Sequence, residues 1–178
     1  MNYHNITHDD MNNGDGLRVV LWLSGCSHHC YQCQNPQTWN PNSGILFDNE
    51  AKQEMFNELS KDYISGITLS GGDPLHENNL SEVLSLIEKT RNSFPNKTIW
   101  LYTGYTLEQI LQPLLINTIP TEEEEKRIDI VKMVDVLVDG PYVDAQRDVT
   151  AKWRGSTNQR VINIPETLKQ QKVVLYCD

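Results

Sequence analysis

Two hydrophobic spacings alternate along this chain, one suited to buried strands and the other to helices lying on them. Leu17-Arg18-Val19-Val20-Leu21-Trp22-Leu23 is nearly continuous in apolar residues, as in a strand covered on both faces. Ile64 to Ser70, Thr98 to Thr103 and Asp135 to Asp139 read as three more strands. Between the first two, Asp48 is placed as a helix N-cap, and Ala51, Met55 and Leu59 fall on one helical face. Leu80, Val83, Leu84 and Ile87 follow the i, i+3, i+4, i+7 spacing of an amphipathic helix. Leu107, Ile110, Leu111, Leu114 and Leu115 form another such face, which Pro113 is expected to kink or shorten. Thr121 with Glu124 makes a capping box, and the acidic run Glu122–Glu125 suits a solvated first helical turn.

The ends are less regular. Residues 1–16 are polar and close in the turn Asn13-Gly14-Asp15-Gly16. A polar stretch from Trp153 to Arg160 ends in a short apolar run, and Lys172 to Cys177 reads as a last strand or a loose end. No internal repeat or low-complexity linker divides the chain, so a single domain over residues 1–178 is expected.

Strands alternating with helices build parallel βαβ units, an α/β fold whose chemistry collects at the carboxyl ends of the strands. Each strand here is followed by an unusual turn. Gly25-Cys26-Ser27-His28-His29-Cys30-Tyr31-Gln32-Cys33 follows the first, Gly71-Gly72-Asp73-Pro74 the second, Thr103-Gly104-Tyr105 the third and Gly140-Pro141 the fourth, directly after Asp139.

Composition narrows the options. A net charge of -9 with no clustered Lys or Arg argues against a nucleic-acid binder, because phosphate contacts need such clusters. No stretch approaches the roughly 20 apolar residues of a membrane helix. Met1 to Met11 has no apolar signal-peptide core, so a cytoplasmic protein is expected. Clustered cysteines in that compartment point to metal or redox chemistry rather than disulfides.

Three of the four cysteines stand in a C-x3-C-x2-C run, Cys26, Cys30 and Cys33. A structural zinc site is closed by four ligands, which His28, His29 or the distant Cys177 would complete. A four-iron cluster held by the three thiolates alone would instead leave one iron open to a ligand. Spacing by itself favours zinc; the convergence of special turns on all four strand ends favours the cluster, since a zinc knuckle needs no such decoration.

These residues resemble the radical S-adenosylmethionine enzymes. Within that superfamily the resemblance is to glycyl-radical activases, and among those to the group that activates anaerobic ribonucleoside-triphosphate reductase. It is carried by Asn13-Gly14-x-Gly16-x-Arg18, Ser24-Gly25-Cys26, Thr38-Trp39, Ser70-Gly71-Gly72-Asp73-Pro74-Leu75, Trp100-x-x-Thr103-Gly104-Tyr105, Val138-Asp139-Gly140 and Trp153-Arg154-Gly155-Ser156-x-Asn158-Gln159, in that order over 13–159.

The resemblance implies an incomplete (β/α) barrel of mainly parallel strands. It makes Cys26, Cys30 and Cys33 the catalytic and metal-binding set for a [4Fe-4S] cluster with one open iron, to which S-adenosylmethionine binds. It assigns cofactor binding to Gln32, Cys33 and Gln34 around the adenine. Gly71, Gly72 and Asp73 lie near the methionine amine, with Thr103 and Asp139 at later strand ends. Gln32 stands where many of these enzymes carry an aromatic residue. The implied partners are the large subunit of the reductase, whose glycine becomes a radical, and a flavodoxin-type electron donor. Competing readings are an activase of the pyruvate formate-lyase type and a non-catalytic zinc or iron–sulfur module.

Overall fold

The computed structural model describes residues 1–177. The apolar runs form the centre of one seven-stranded sheet. In chain order its strands are β1 (Asn2–Asp10), β2 (Arg18–Leu23), β3 (Ile45–Leu46), β4 (Gly66–Gly71), β5 (Thr98–Tyr102), β6 (Val136–Asp139) and β7 (Arg160–Asn163). Across the sheet they are ordered β3-β1-β2-β4-β5-β6-β7, and the sheet is open. The four predicted strands, β2, β4, β5 and β6, run parallel, with Arg18 opposite Gly66, Gly66 opposite Thr98 and Trp100 opposite Val136. Antiparallel strands flank them: β1 beside β2, with β3 outside it, and β7 beside β6.

Each parallel connection carries a helix: α2 (Leu80–Ser93) between β4 and β5, then α3 (Leu107–Leu115) and α4 (Glu122–Met133) between β5 and β6. α1 (Asn49–Leu59) lies between β2 and β4, and α5 (Ile164–Gln170) follows β7. Parallel crossovers are right-handed, and here the strands follow one another across the sheet without a reversal, so the helices fall on one face. The core shows it. Val19, Leu21, Leu23, Ile67, Leu69, Ile99, Leu101 and Leu137 pack with Met55, Leu59, Val83, Ile87, Ile110, Ile128 and Val131 of the helices. The alternate strand residues, Arg18, Trp22, Thr68, Ser70, Trp100 and Tyr102, point the other way, because side chains alternate along a strand. Part of that second face is filled by Trp100, Val136, Val138 and Val161, with Trp153 and Cys177 laid over them.

Arg18 is buried on this second face and forms no ion pair among the described residues. Its guanidinium instead donates to Thr68 Oγ1 (2.7 Å), Thr98 Oγ1 (2.9 Å) and the carbonyls of Asp15 (3.0 Å), Ile67 (2.7 Å) and Thr98 (3.1 Å). Trp100 lies against it at 5.3 Å. Burial pulls its pKa down to about 10, so it stays charged at neutral pH. One side chain thereby ties the 13–16 turn to β2, β4 and β5.

Several expectations are corrected by the fold. The polar leader 1–16 is largely strand β1, hydrogen-bonded beside β2 and burying only Tyr3 and Ile6. An edge position with an irregular register, between Tyr3 and Asn5 and again between Thr7 and Asp10, breaks the alternation that would have announced it. The short apolar run after the polar tail is β7. Lys172–Cys177 is neither a strand nor loose: Tyr176 N donates to Val161 O (2.7 Å) and a single bridge pairs Leu175 with Ile162. The face expected of α3 is only half used, with Leu107 and Ile110 buried while Leu114 and Leu115 are exposed. The Asp48 N-cap and the Thr121–Glu124 capping box form as expected. Among the described residues no helix is long and apolar enough to cross a membrane.

Candidate active site

A cavity of about 460 Å3 opens at the carboxyl ends of the parallel strands, on the face without helices. That is within the roughly 300–1,000 Å3 of small-molecule sites. Cys26, Cys30 and Cys33 all line it, together with Gln34, Gly71, Gly72, Asp73 and Thr103. Gln32 is exposed and Asp139 is buried, and neither forms part of the wall. His28, Trp39, Tyr102 and Arg154 also line the cavity, although they had no assigned role in it.

The cysteine loop is held by backbone bonds at both ends. Gly25 N donates to Thr38 O (2.7 Å) and Cys26 N to Trp39 O (3.0 Å), folding the chain after Cys33 back over its start. His29 and Gln32 adopt left-handed conformations, with φ of 46° and 56°, which turn the loop between its cysteines. The Gly-Gly-Asp turn zips onto this loop. Gly72 N donates to Leu23 O and Asp73 N to Gly25 O, both at 2.7 Å, which prolongs the β2–β4 pairing. A Cβ on Gly72 would stand 2.5 Å from Gly25 O, so only glycine permits the approach. Buried Asn79 completes the joint by donating to Ser24 O (2.8 Å) and Asp73 O (3.0 Å).

Asp73 is the hub of the site. Its Oδ1 accepts from Leu75 N (2.8 Å) and its Oδ2 from Gly104 N (3.1 Å), while Thr103 Oγ1 donates within 3.0 Å of both oxygens. His28 Nε2 lies 2.7 Å from Oδ2, and since a carboxylate only accepts, the ring proton sits on that nitrogen. The His28 ring packs edge-on against Tyr105 at 4.6 Å and over Gly104, where a Cβ would meet it at 2.4 Å. Asp73 therefore joins the cysteine loop, the end of β4 and the end of β5. Thr103 acts through it as a brace. Asp139 has a similar task one strand further on, where it accepts from Leu107 N (2.8 Å) at the start of α3 and pairs with Arg160.

The donor set fits an iron–sulfur cluster. Thiolates are soft ligands suited to iron–sulfur centres. Backbone amides reach the sulfurs: His28 and His29 toward Cys26, Tyr142 toward Cys30, and Asn35 N toward Cys33 Sγ at 3.4 Å. The three cysteines lie close together on one cavity wall, as a shared metal centre requires. His28 is committed to Asp73, and Cys177 lies with Trp100 outside the cavity wall.

Residues 12–162 match the family described as "4Fe-4S single cluster domain". Three relatives cover nearly the whole chain, each named an anaerobic ribonucleoside-triphosphate reductase-activating protein. The protein of Enterobacteria phage T4 is 42% identical over 90% of this chain and 93% of its own. That of Escherichia coli K12 is 39% identical over 90% and 97%. That of Vibrio cholerae is 38% identical over 89% and 96%. The chain belongs to the family of anaerobic ribonucleoside-triphosphate reductase-activating proteins. The matched 4Fe-4S domain brings the cluster with it, and the zinc reading falls.

Family membership gives the thiol acidities a consequence. Burial pushes Cys26 up to about 11 and also raises Cys30, with nearby amides opposing the rise. Both thiols are therefore protonated at neutral pH in the metal-free chain, and each must release its proton to bind iron. Cluster loading should weaken on acidification, by roughly tenfold per pH unit for Cys26 alone, below its pKa. Anaerobic iron and sulfide uptake at pH 6.5, 7.5 and 8.5 checks this; equal loading throughout would show that the thiols are already ionised.

Proposed function

We infer that this chain activates an anaerobic ribonucleoside-triphosphate reductase by reductive cleavage of S-adenosylmethionine at its cluster, installing a glycyl radical on the reductase. The observation that carries the reading is the convergence of the three cysteines, the Gly-Gly-Asp turn and the Thr103-Gly104 turn on one open cavity. Relatives named as activating proteins of that reductase align across about 90% of the chain. The open sheet with its helices on one face supports the reading, since it leaves a side of the cavity accessible to a protein substrate.

When bound, the cluster supplies one electron, which splits S-adenosylmethionine into methionine and a 5′-deoxyadenosyl radical. The chain's own residues do the rest. Cys26, Cys30 and Cys33 would hold the cluster, leaving one iron free of protein ligands for S-adenosylmethionine. Gly71 and Gly72 keep the wall free of side chains beside the amine. The backbone around Gln32, Cys33 and Gln34 faces the adenine. Asp73 and Thr103 hold the two strand ends and the cysteine loop in register around the ligand. Asp139 does so at the third strand end, through α3. The glycine gives up one α-hydrogen to the deoxyadenosyl radical, so 5′-deoxyadenosine and a carbon radical on the reductase are the products. A flavodoxin-type protein is the electron donor.

The test is anaerobic reconstitution with iron and sulfide, followed by S-adenosylmethionine, a strong reductant and a reductase of this type. The expected result is 5′-deoxyadenosine together with the doublet of a glycyl radical by electron paramagnetic resonance. A loaded protein that yields neither product would refute the assignment. Deoxyadenosine without the doublet would leave the cleavage and remove the reductase as target.

A further inference from the structure

Most arginines of this chain have oxygen partners. Arg18 has five bonds to neutral oxygens, Arg91 pairs with Asp135, Arg127 with Glu123 and Arg160 with both Asp139 and Glu108. Arg154 differs. It lines the cavity, and among the described residues no carboxylate lies within ion-pair distance of it. Its Nη1 donates to Gln159 O at 3.2 Å, while its Nε is buried without a partner among the described residues. The edge of the guanidinium made by Nε and Nη2 is thus a two-donor fork without an acceptor among the described residues. A second wall residue repeats the observation: the Tyr102 hydroxyl is also buried and has no partner among the described residues.

The segment carrying Arg154 is rigid by construction. Trp153 packs edge-on against Trp100 at 4.9 Å. Gln159 Oε1 accepts from Gly155 N (2.9 Å) and Ser156 N (3.2 Å), and Gln159 Nε2 donates to Gly140 O (3.0 Å). Neighbouring Tyr142, against which Gly155 packs, places its backbone amide at Cys30. Asp148 feels the Arg154 charge but forms no ion pair with it, so a guanidinium held beside the cysteine loop keeps two donors for an anion. The planar Nε–Nη2 fork matches a carboxylate side-on. The other wall carboxylate, Asp73, is already filled by protein donors.

We propose that Arg154 is the carboxylate receptor of this cavity, with Tyr102 as a second donor on its wall, a role that rests on the cavity being the ligand site argued above. Two ligands can bring the carboxylate: the methionine part of S-adenosylmethionine, or an acidic side chain of the protein segment presented to the cavity. Binding, not turnover, separates them. Cluster-loaded wild type, Arg154→Gln and Arg154→Lys would be titrated with S-adenosylmethionine and with its decarboxylated analogue. A glycine-rich peptide bearing one Glu, and the same peptide with Gln, form the second arm. Removing a charged hydrogen-bonding pair is expected to weaken a carboxylate probe by about 10–100-fold in Arg154→Gln. The lysine variant should recover part of that loss, and the uncharged counterpart of the same probe should not change. A loss with S-adenosylmethionine alone assigns the cofactor carboxylate, and a loss with the Glu peptide alone assigns the partner. Equal losses for charged and neutral probes, or no loss in either arm, would overturn the proposal. Wild type that binds no S-adenosylmethionine would count against the cofactor reading while the peptide arm still judged Arg154. Cluster content and circular dichroism equal to wild type show that each variant is folded.

Discussion

Cys30→Ala should lose its cluster and its 5′-deoxyadenosine formation while keeping its fold. Cys30 is one of three thiols around the cavity and the one reached by the Tyr142 amide. Two remaining thiolates cannot hold a cube that needs three corners anchored. Outer-shell changes alone cost metal sites about 10–100-fold in affinity or activity, so loss of a ligand should exceed roughly 100-fold. Iron should fall from about four per chain, the content of a cubane cluster, toward background. The side chain is only half-buried, so unfolding of the metal-free protein should shift by less than about 1 kcal/mol. Cys177→Ala is the control, because Cys177 packs near Trp100 away from the cavity wall and should retain both iron and turnover. Full turnover in Cys30→Ala would remove Cys30 from the ligand set.

Asp73→Ala should be the most damaging change to stability within the site. The carboxylate is 2% exposed and accepts from Leu75 N, Gly104 N, Thr103 Oγ1 and His28 Nε2. Alanine leaves these donors buried without an acceptor, at about 1–3 kcal/mol for each that finds no water. A net loss on the order of 3–5 kcal/mol is expected in urea unfolding of the metal-free chain, with an unchanged slope. Asp73→Asn keeps one acceptor oxygen and should lose less. If Asp73 instead served mainly as a direct contact to the cofactor, alanine would weaken S-adenosylmethionine binding and leave the unfolding midpoint in place. That pattern would contradict the bracing role.

The four central strands, the caps at Asp48 and Thr121 and the cysteine run were all legible in the sequence. Each is announced by local chemistry, whether a continuous apolar run, a side-chain oxygen before a helix or thiols at short spacing. Strands β1, β3 and β7 were not legible. β3 is only two exposed residues, β1 buries two apolar side chains among polar ones, and β7 follows a polar stretch, so their pairing partners decide their state.

In the site, local chemistry identified the cysteines and the glycine turns but not what those turns are for. The chain by itself determined which residue types stand at the strand ends, because that order is covalent. The tertiary structure decided their roles, because hydrogen-bond capacity is shared among segments far apart in sequence. Asp73 and Thr103 were read as cofactor contacts, yet across 30 residues they bond to each other, and His28 reaches Asp73 across 45. Asp139 is taken up by Arg160 and α3, outside the cavity wall. Arg154, in a polar stretch that carried the resemblance but no role of its own, is brought to the wall with its Nε unpartnered among the described residues. Which polar atoms are satisfied and which remain free for a ligand depends on those long-range neighbours, and no local spacing encodes it.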